Sequence, residues 1–159
     1  MLKILKNPMI KKANKSDIKL MVELSYQKRL SYAKAQPNFW KMAENSNEIQ
    51  AKYFEKLLQE KNTIALICNK KQGFIIGNVI TPPEVYSAGL TLVIDDFCVK
   101  SDNLWLTTGK ELLEKCQKRA KNMSVKQILV VCGNHDQEKS LFLKSQNLNI
   151  ASNWFTKIT

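Results

Sequence analysis

The sequence predicts a single mixed α/β domain, and a few observations carry that prediction. Short runs rich in β-branched residues, "TIALIC", "FIIGNVI" and "LTLVIDDFCV", follow one another in the middle of the chain. Stretches with apolar residues at helical spacing flank them. A helical stretch between "LTLVIDDFCV" and the apolar run "QILVVCG" makes a strand–helix–strand unit, which implies a right-handed crossover and locally parallel pairing. A length of 159 residues suits one domain, 1–159, that buries its own core.

The elements read in order as follows. Residues 9–14, "MIKKAN", form a first strand. A helix then begins with Ser16 or Asp17 as its cap, and Ile18, Met21, Val22, Ser25, Tyr26 and Arg29 fall at helical spacing. Pro37 breaks the pattern in "AQPNFWKMAENSN", which reads as a loop or a short helical turn. From Asn47 to Lys61, the residues Ile49, Tyr53, Phe54, Leu57 and Leu58 make the apolar stripe of a second helix. Three antiparallel strands follow, the first two joined by a hairpin at "NKKQG" and the third reached after Pro82–Gly89. The next helix, near 104–122, carries Trp105, Thr108, Leu112, Cys116 and Ala120 on one side. An indole at that spacing belongs to a core. "QILVVCG" is apolar on both faces, the pattern of a strand at a sheet centre. "HDQEKSLFLKSQNL" reads as a helix and "NIASNWFTKI" as a final strand, giving the order β-α-α-β-β-β-α-β-α-β around an α+β mixed sheet.

Composition narrows the class of protein. Hydrophobic residues make up 44% and charged residues 25%, as in ordinary globular domains. No apolar run approaches the roughly 20 residues of a membrane span. The opening "MLKILKNPMIKK" is interrupted too often by Lys to be a signal-peptide core, so the cytoplasm is the expected compartment. Cys68, Cys98, Cys116 and Cys132 lie far apart and read as buried free thiols. One histidine and no paired cysteine spacing disfavour zinc, and no metal is expected. The net charge of +11 raises nucleic acid as a partner. Against it, only Arg29 and Arg119 are arginines, and scattered lysines make a solvated surface rather than a phosphate-reading face. The same charge attracts a polyanionic ligand such as a nucleotide-based cofactor.

Chemistry concentrates in "DDFCVKSDNLWLTTGKELL", from Asp95 to Leu113. A carboxylate pair sits in an apolar strand run, and a polar turn then leads into a helix. A helix N-terminus offers unpaired N–H groups and the positive end of its dipole, which suits a pyrophosphate. Thr107, Thr108, Gly109 and Lys110 would form that turn. The competing reading makes Ser101, Asp102 or Asn103 a plain cap, with Thr108 and Glu111 as a capping box.

With these residues in place the chain resembles the GCN5-related N-acetyltransferases over about residues 9–158, with the specific motifs concentrated in 93–148. "VIDDFCV" looks like the family's bulged fourth strand, and "WLTTGKELLEKCQKRAK" like its pyrophosphate loop and third helix. "QILVVCGNHDQEKSLFLKSQNL" resembles its fifth strand and fourth helix, with Asn134 at the helix start. The family's Q/R-x-x-G-x-G/A loop corresponds to Leu104 through Gly109, of which only Gly109 is retained. Its late tyrosine falls on Phe142 or Leu143.

The resemblance implies acyl transfer from acetyl-CoA to an amine acceptor. It also implies backbone donors at Phe97, Cys98 or Val99 for the thioester oxygen, and cofactor contacts at Thr107, Thr108, Gly109, Lys110 and Asn134. A carboxylate must take the proton of the incoming ammonium, and Asp95 and Asp96 are the best-placed groups. Simple alternation allows only one of them into a cleft, unless a bulge intervenes. Glu84 stands on the loop where acceptor specificity would lie, and His135, the sole imidazole, is a lesser candidate. Cys98 reads as a packing thiol, which disfavours a covalent acyl-enzyme. Coenzyme A binding without catalysis is the alternative. No membrane partner is expected, and a homodimer is compatible with the sequence.

Overall fold

The computed structural model describes residues 9–159. The opening segment 1–8, part of the stretch weighed as a leader, lies outside the described residues. The elements are β1 (Ile10–Lys12), α1 (Ile18–Ala35), α2 (Ser46–Gln59), β2 (Thr63–Cys68), β3 (Gly73–Ile80) and β4 (Thr91–Val99). After them come α3 (Lys110–Asn122), β5 (Gln127–Val130) and α4 (Gln137–Ser145).

The strands form one sheet in the order β1-β2-β3-β4-β5. The first three pairings are antiparallel and β4–β5 is parallel, as the strand–helix–strand unit requires. Helices cover both faces. Met21, Leu24, Phe54 and Leu57 of α1 and α2 pack on Ala65, Ile67, Phe74, Ile76 and Cys98. Leu112, Leu113 and Cys116 of α3, with Phe142 and Leu143 of α4, pack on Ile64, Leu66, Ile75, Leu92, Ile94 and Phe97. The predicted stripe Trp105, Thr108, Leu112, Cys116 and Ala120 is buried throughout.

Several expectations are corrected. Asp17 stands at the N-cap position of α1 as one of the two expected residues, but makes no side-chain cap there. The capping side chain is Asn14, which accepts from Ser16 N–H at 2.9 Å while Asp17 reaches back to Asn14 N–H at 3.0 Å. That reciprocal box caps a short 3₁₀ turn, Lys15–Asp17, that leads into α1. In α2 only Phe54 and Leu57 of the apolar stripe are fully buried, and Ile49 and Tyr53 reach the surface. β5 is an edge strand rather than a central one, since nothing described pairs beyond it and Leu129 and Val131 are exposed. "NIASNWFTKI" forms no strand: residues 149–159 carry no regular structure and every side chain there is exposed. Its apolar residues find no sheet partner, and Trp154 only meets Phe39 edge-on at 6.4 Å.

The register between β3 and β4 breaks once. Ile76 pairs with Asp96 and Gly77 with Ile94, so Asp95 is an extra residue in β4 with no partner in β3. Gly77 makes this possible, because a Cβ there would meet the β4 backbone, with Ile94 Cα only 2.9 Å away. Gly77→Ala is therefore expected to lower stability by roughly 1–3 kcal/mol, read as a reduced denaturant midpoint with unchanged slope.

Candidate functional site

The bulge changes which way the carboxylates face. With one extra residue in the strand, Asp95 and Asp96 both turn toward the α1/α2 face. Asp96 is buried; one of its oxygens accepts from Ser25 Oγ at 2.7 Å and the other pairs with Lys28 Nζ. Cys98 Sγ approaches the same carboxylate at 3.4 Å. Burial pulls the Lys28 ammonium down, but Asp96 and Cys98 outweigh that and leave its pKa raised. Asp96 is thereby a tie between β4 and α1, with both of its carboxylate oxygens engaged. Burial also drives the Cys98 thiol far above its ordinary range, with Asp96 adding to the effect, so it stays protonated.

Asp95 is the freer group. It lies exposed beside Tyr53 of α2, and partial desolvation raises its pKa from the ordinary 3.8. The Tyr53 hydroxyl opposes that rise and neighbouring Asp96 reinforces it. A carboxylate tuned upward and open to solvent is suited to taking protons.

On the other edge of β4 a gap opens. β4 and β5 pair only as far as Ile94 and Val130. Beyond that point the chain leaving β5 turns to α1, where Gly133 N–H donates to the Tyr32 hydroxyl at 2.8 Å. Burial pushes the Tyr32 pKa up to about 12, so the phenol stays protonated. Phe97 C=O faces the gap, because it accepts from Lys139 Nζ of α4 at 3.1 Å. A strand residue sends its N–H and C=O to the same side, so the Phe97 N–H also faces the parted edge. The alternation turns Cys98 toward β3, where its carbonyl lies 2.8 Å from the position of a Cβ on Gly73. Of the three backbone donors suggested by the sequence, Phe97 and Val99 therefore face the gap and Cys98 does not.

Lys139 fills the gap. It is 2% exposed and forms no ion pair among the described residues. Its Nζ stands 5.7 Å from the ring centres of both Phe97 and Trp105. Burial lowers its pKa from the ordinary 10.5. Trp105 stacks on Phe142 at 5.2 Å and meets Phe97 edge-on at 5.1 Å, while its buried Nε1–H has no partner.

The polar turn before α3 is already helical. A 3₁₀ turn, Asp102–Leu104, runs into a π turn, Trp105–Gly109, and then into α3. Lys110 N–H bonds back to Trp105 O, the five-residue spacing of a π turn, and the N–H groups of Thr107 and Thr108 precede it. Thr107 is exposed, with Oγ1 on Leu104 O at 3.4 Å. Thr108 is buried and donates to Gln72 Oε1 at 3.2 Å, so its side chain serves the β2–β3 hairpin. Gly109 has ordinary helical angles; its missing Cβ leaves room for the Trp105 ring, whose Cε3 would lie 2.8 Å away. Lys110 is exposed and reaches Glu114 at 3.8 Å. No Thr108–Glu111 capping box forms.

Glu84 is exposed on the β3–β4 connection. His135 Nε2 contacts Ser31 Oγ at 3.1 Å, and its ring meets Tyr32 edge-on at 4.8 Å. Asp136, not Asn134 or His135, caps α4, accepting from Lys139 N–H at 3.2 Å. Asn134 is exposed, and its carbonyl accepts from Gln137 Nε2. Sequence reasoning missed Lys28 and Lys139, and placed Ser25 and Tyr53 only as stripe residues. A serine inside the apolar stripe of α1 was the one signal that this helix meets a polar group.

Known structures share this architecture. No family model matches the chain, and no curated relative does. A tetramutant of the BH1408 protein of Bacillus halodurans superposes with a TM-score of 0.80 at 14% identity, over 95% of this chain and 99% of that one. A predicted acetyltransferase with acetyl-CoA from Clostridium acetobutylicum matches at 0.70 and 16%, over 94% and 95%. The aminoglycoside 6'-N-acetyltransferase AAC(6')-Ih of Acinetobacter baumannii matches at 0.69 and 9%, over 95% and 98%. The chain has the fold of the GCN5-related N-acetyltransferases.

Two variants test the electrostatics. Asp96→Ala strands Lys28 in a part-buried site and is expected to cost about 3 kcal/mol in denaturation. Lys139→Met is expected to stabilise the fold at neutral pH by about 1 kcal/mol or more, because it removes a buried cation without a counter-ion. Between the lowered folded pKa and 10.5 the unfolded chain binds more protons, so the wild type gains stability as pH rises. The gap between wild type and Lys139→Met should narrow over that window in melts at successive pH values.

Proposed function

We propose that the chain is an acyl-CoA-dependent N-acyltransferase that passes an acetyl group directly from acetyl-CoA to a primary amine. The observation that carries this reading is the parting of β4 from β5 beyond Ile94. It leaves an unpaired Phe97 amide on the gap and a bulged carboxylate, Asp95, on the neighbouring face. The fold supports it, since one structure of this architecture is described with acetyl-CoA and another, AAC(6')-Iy, with a coenzyme A bisubstrate analogue.

In this reading the thioester lies in the gap with its carbonyl oxygen toward the Phe97 N–H, where developing negative charge meets a fixed donor. Asp95, directly or through water, takes the proton of the ammonium and frees the lone pair for attack. The C–N bond forms, the C–S bond breaks, and the thiolate leaves with an unperturbed pKa near ~8.5. That modest pKa makes a dedicated acid less necessary, in keeping with the absence of a tyrosine late in α4. Asp96 positions α1 rather than moving protons. The amides of Thr107 and Thr108 in the Trp105–Gly109 turn meet the pyrophosphate, and Lys110 adds a nearby charge. Cys98, protonated and buried, takes no acyl group.

The second reading, a coenzyme A binder without transferase activity, is favoured by one observation: Lys139 occupies the gap that the thioester must enter. Calorimetric titration with acetyl-CoA and with coenzyme A comes first, and no heat at millimolar ligand would sink both readings. Thiol release across polyamines, aminoglycosides, amino acids and peptide N-termini then separates enzyme from binder. Asp95→Asn is expected to lower turnover about 100-fold or more while coenzyme A still binds. The rate should fall with decreasing pH through a pKa above the ordinary 3.8 of an aspartate, since Asp95 must be ionised to act as base.

A further inference from the structure

We infer that Lys139 is itself an acyl-acceptor site, its ε-amine taking the acyl group from a thioester held in the gap between β4 and β5. The inference rests on the coenzyme A reading above and adds a covalent modification of the chain. Its ground is placement: Lys139 Nζ is held 3.1 Å from the carbonyl of the residue whose N–H faces the same gap. A thioester oxygen on that N–H brings the acyl carbon up against the amine, as proximity-driven transfer requires.

Burial and partners fit a nucleophile better than a structural cation. An ordinary buried lysine is paired, whereas this one has a single carbonyl acceptor and aromatic rings around it. The charged and titratable groups around it are Cys98 and Asp96 of β4, Lys28 of α1 and Cys132 after β5. Burial outweighs these in favouring the neutral amine, with Lys28 adding to it. The other lysines with described side chains face solvent to a greater or lesser degree.

The step balances. The neutral amine attacks the acyl carbon, the C–N bond forms and the C–S bond breaks. Coenzyme A leaves as the thiolate and is protonated by the proton lost from the amine. The product amide keeps one N–H for Phe97 O and no longer takes up a proton in a desolvated site. Its new carbonyl also provides an acceptor beside Trp105, whose Nε1–H is the one buried side-chain polar atom without a partner among the described residues.

The test is intact-mass spectrometry of the full chain after incubation with acetyl-CoA, followed by peptide mapping. Acetyl phosphate serves as a chemical control, and coenzyme A calorimetry is run on the same sample. The expected result is a single acetyl adduct at Lys139, stable to neutral hydroxylamine, suppressed by excess coenzyme A and not reproduced by acetyl phosphate. Lys139→Arg and Lys139→Met should lose that adduct while still binding coenzyme A. Coenzyme A binding without an adduct at Lys139 overturns the inference and leaves the functional reading standing. An adduct on Cys98 or Cys132 that hydroxylamine removes, or one spread over surface lysines equally with acetyl phosphate, overturns it too. Absence of coenzyme A binding removes both.

Discussion

The extra residue in β4 is the constraint on which the rest of the site depends. An antiparallel pair in strict register would send Asp95 and Asp96 to opposite faces of the sheet. With Asp95 unpaired, Asp96 reaches Ser25 and Lys28 of α1, and Asp95 lies beside Tyr53 of α2. The added twist of a bulge also accompanies the separation of β4 from β5, whose last paired residues are Ile94 and Val130. One local irregularity thus yields a solvent-open carboxylate on one face of the sheet and an open backbone edge toward β5. Gly77 opposite is the residue that lets the strands approach closely enough for this to happen.

The two lysines that reach β4 show how differently one side chain can be used. Lys28 and Asp96 meet with a serine hydroxyl on the second carboxylate oxygen, so most of the desolvation is offset and α1 is pinned to β4. Lys139 lies on the opposite edge of the same strand with only a peptide carbonyl. Burial without a counter-ion disfavours its charged form and lowers stability wherever it is protonated. The net charge of +11 acts on a longer scale, raising the local concentration of a polyanionic ligand without defining where it sits.

Periodicity made the fold legible wherever a segment touched the core along its whole length. β2 and the stripe from Trp105 to Ala120 follow the pattern residue by residue, because both are buried against helices or sheet. The pattern misleads at the sheet edge. Apolar residues of "QILVVCG" and "NIASNWFTKI" look like central and closing strands, yet Leu129, Val131, Trp154 and Phe155 stand in solvent. Composition records that a residue is apolar, not whether a partner strand exists. The carboxylate pair was legible as chemistry, while its division into a tie and a free group was not. That division depends on Ser25 and Lys28, which are 71 and 68 residues away in sequence. Lys139 was hidden for the same reason: a lysine in a polar stretch before "SLFL" reads as solvated until α4 is packed on β4.

The surviving glycine of the turn acquires a different meaning from the one its position suggests. Gly109 has ordinary helical angles, so no ligand approach or left-handed conformation demands it. What demands it is the indole of Trp105, which occupies the space a Cβ would take. That indole stacks on Phe142 of α4, meets Phe97 of β4 edge-on and lies beneath the Lys139 ammonium. The turn before α3 is therefore packed, through Gly109 and Trp105, against the Phe97 backbone on the parted edge of β4. A side chain on Gly109 would displace the indole first, and with it the wall of the gap that holds Lys139 and Phe97. The glycine's influence is thus exerted on the gap between β4 and β5, through an aromatic contact, rather than on the backbone of its own turn.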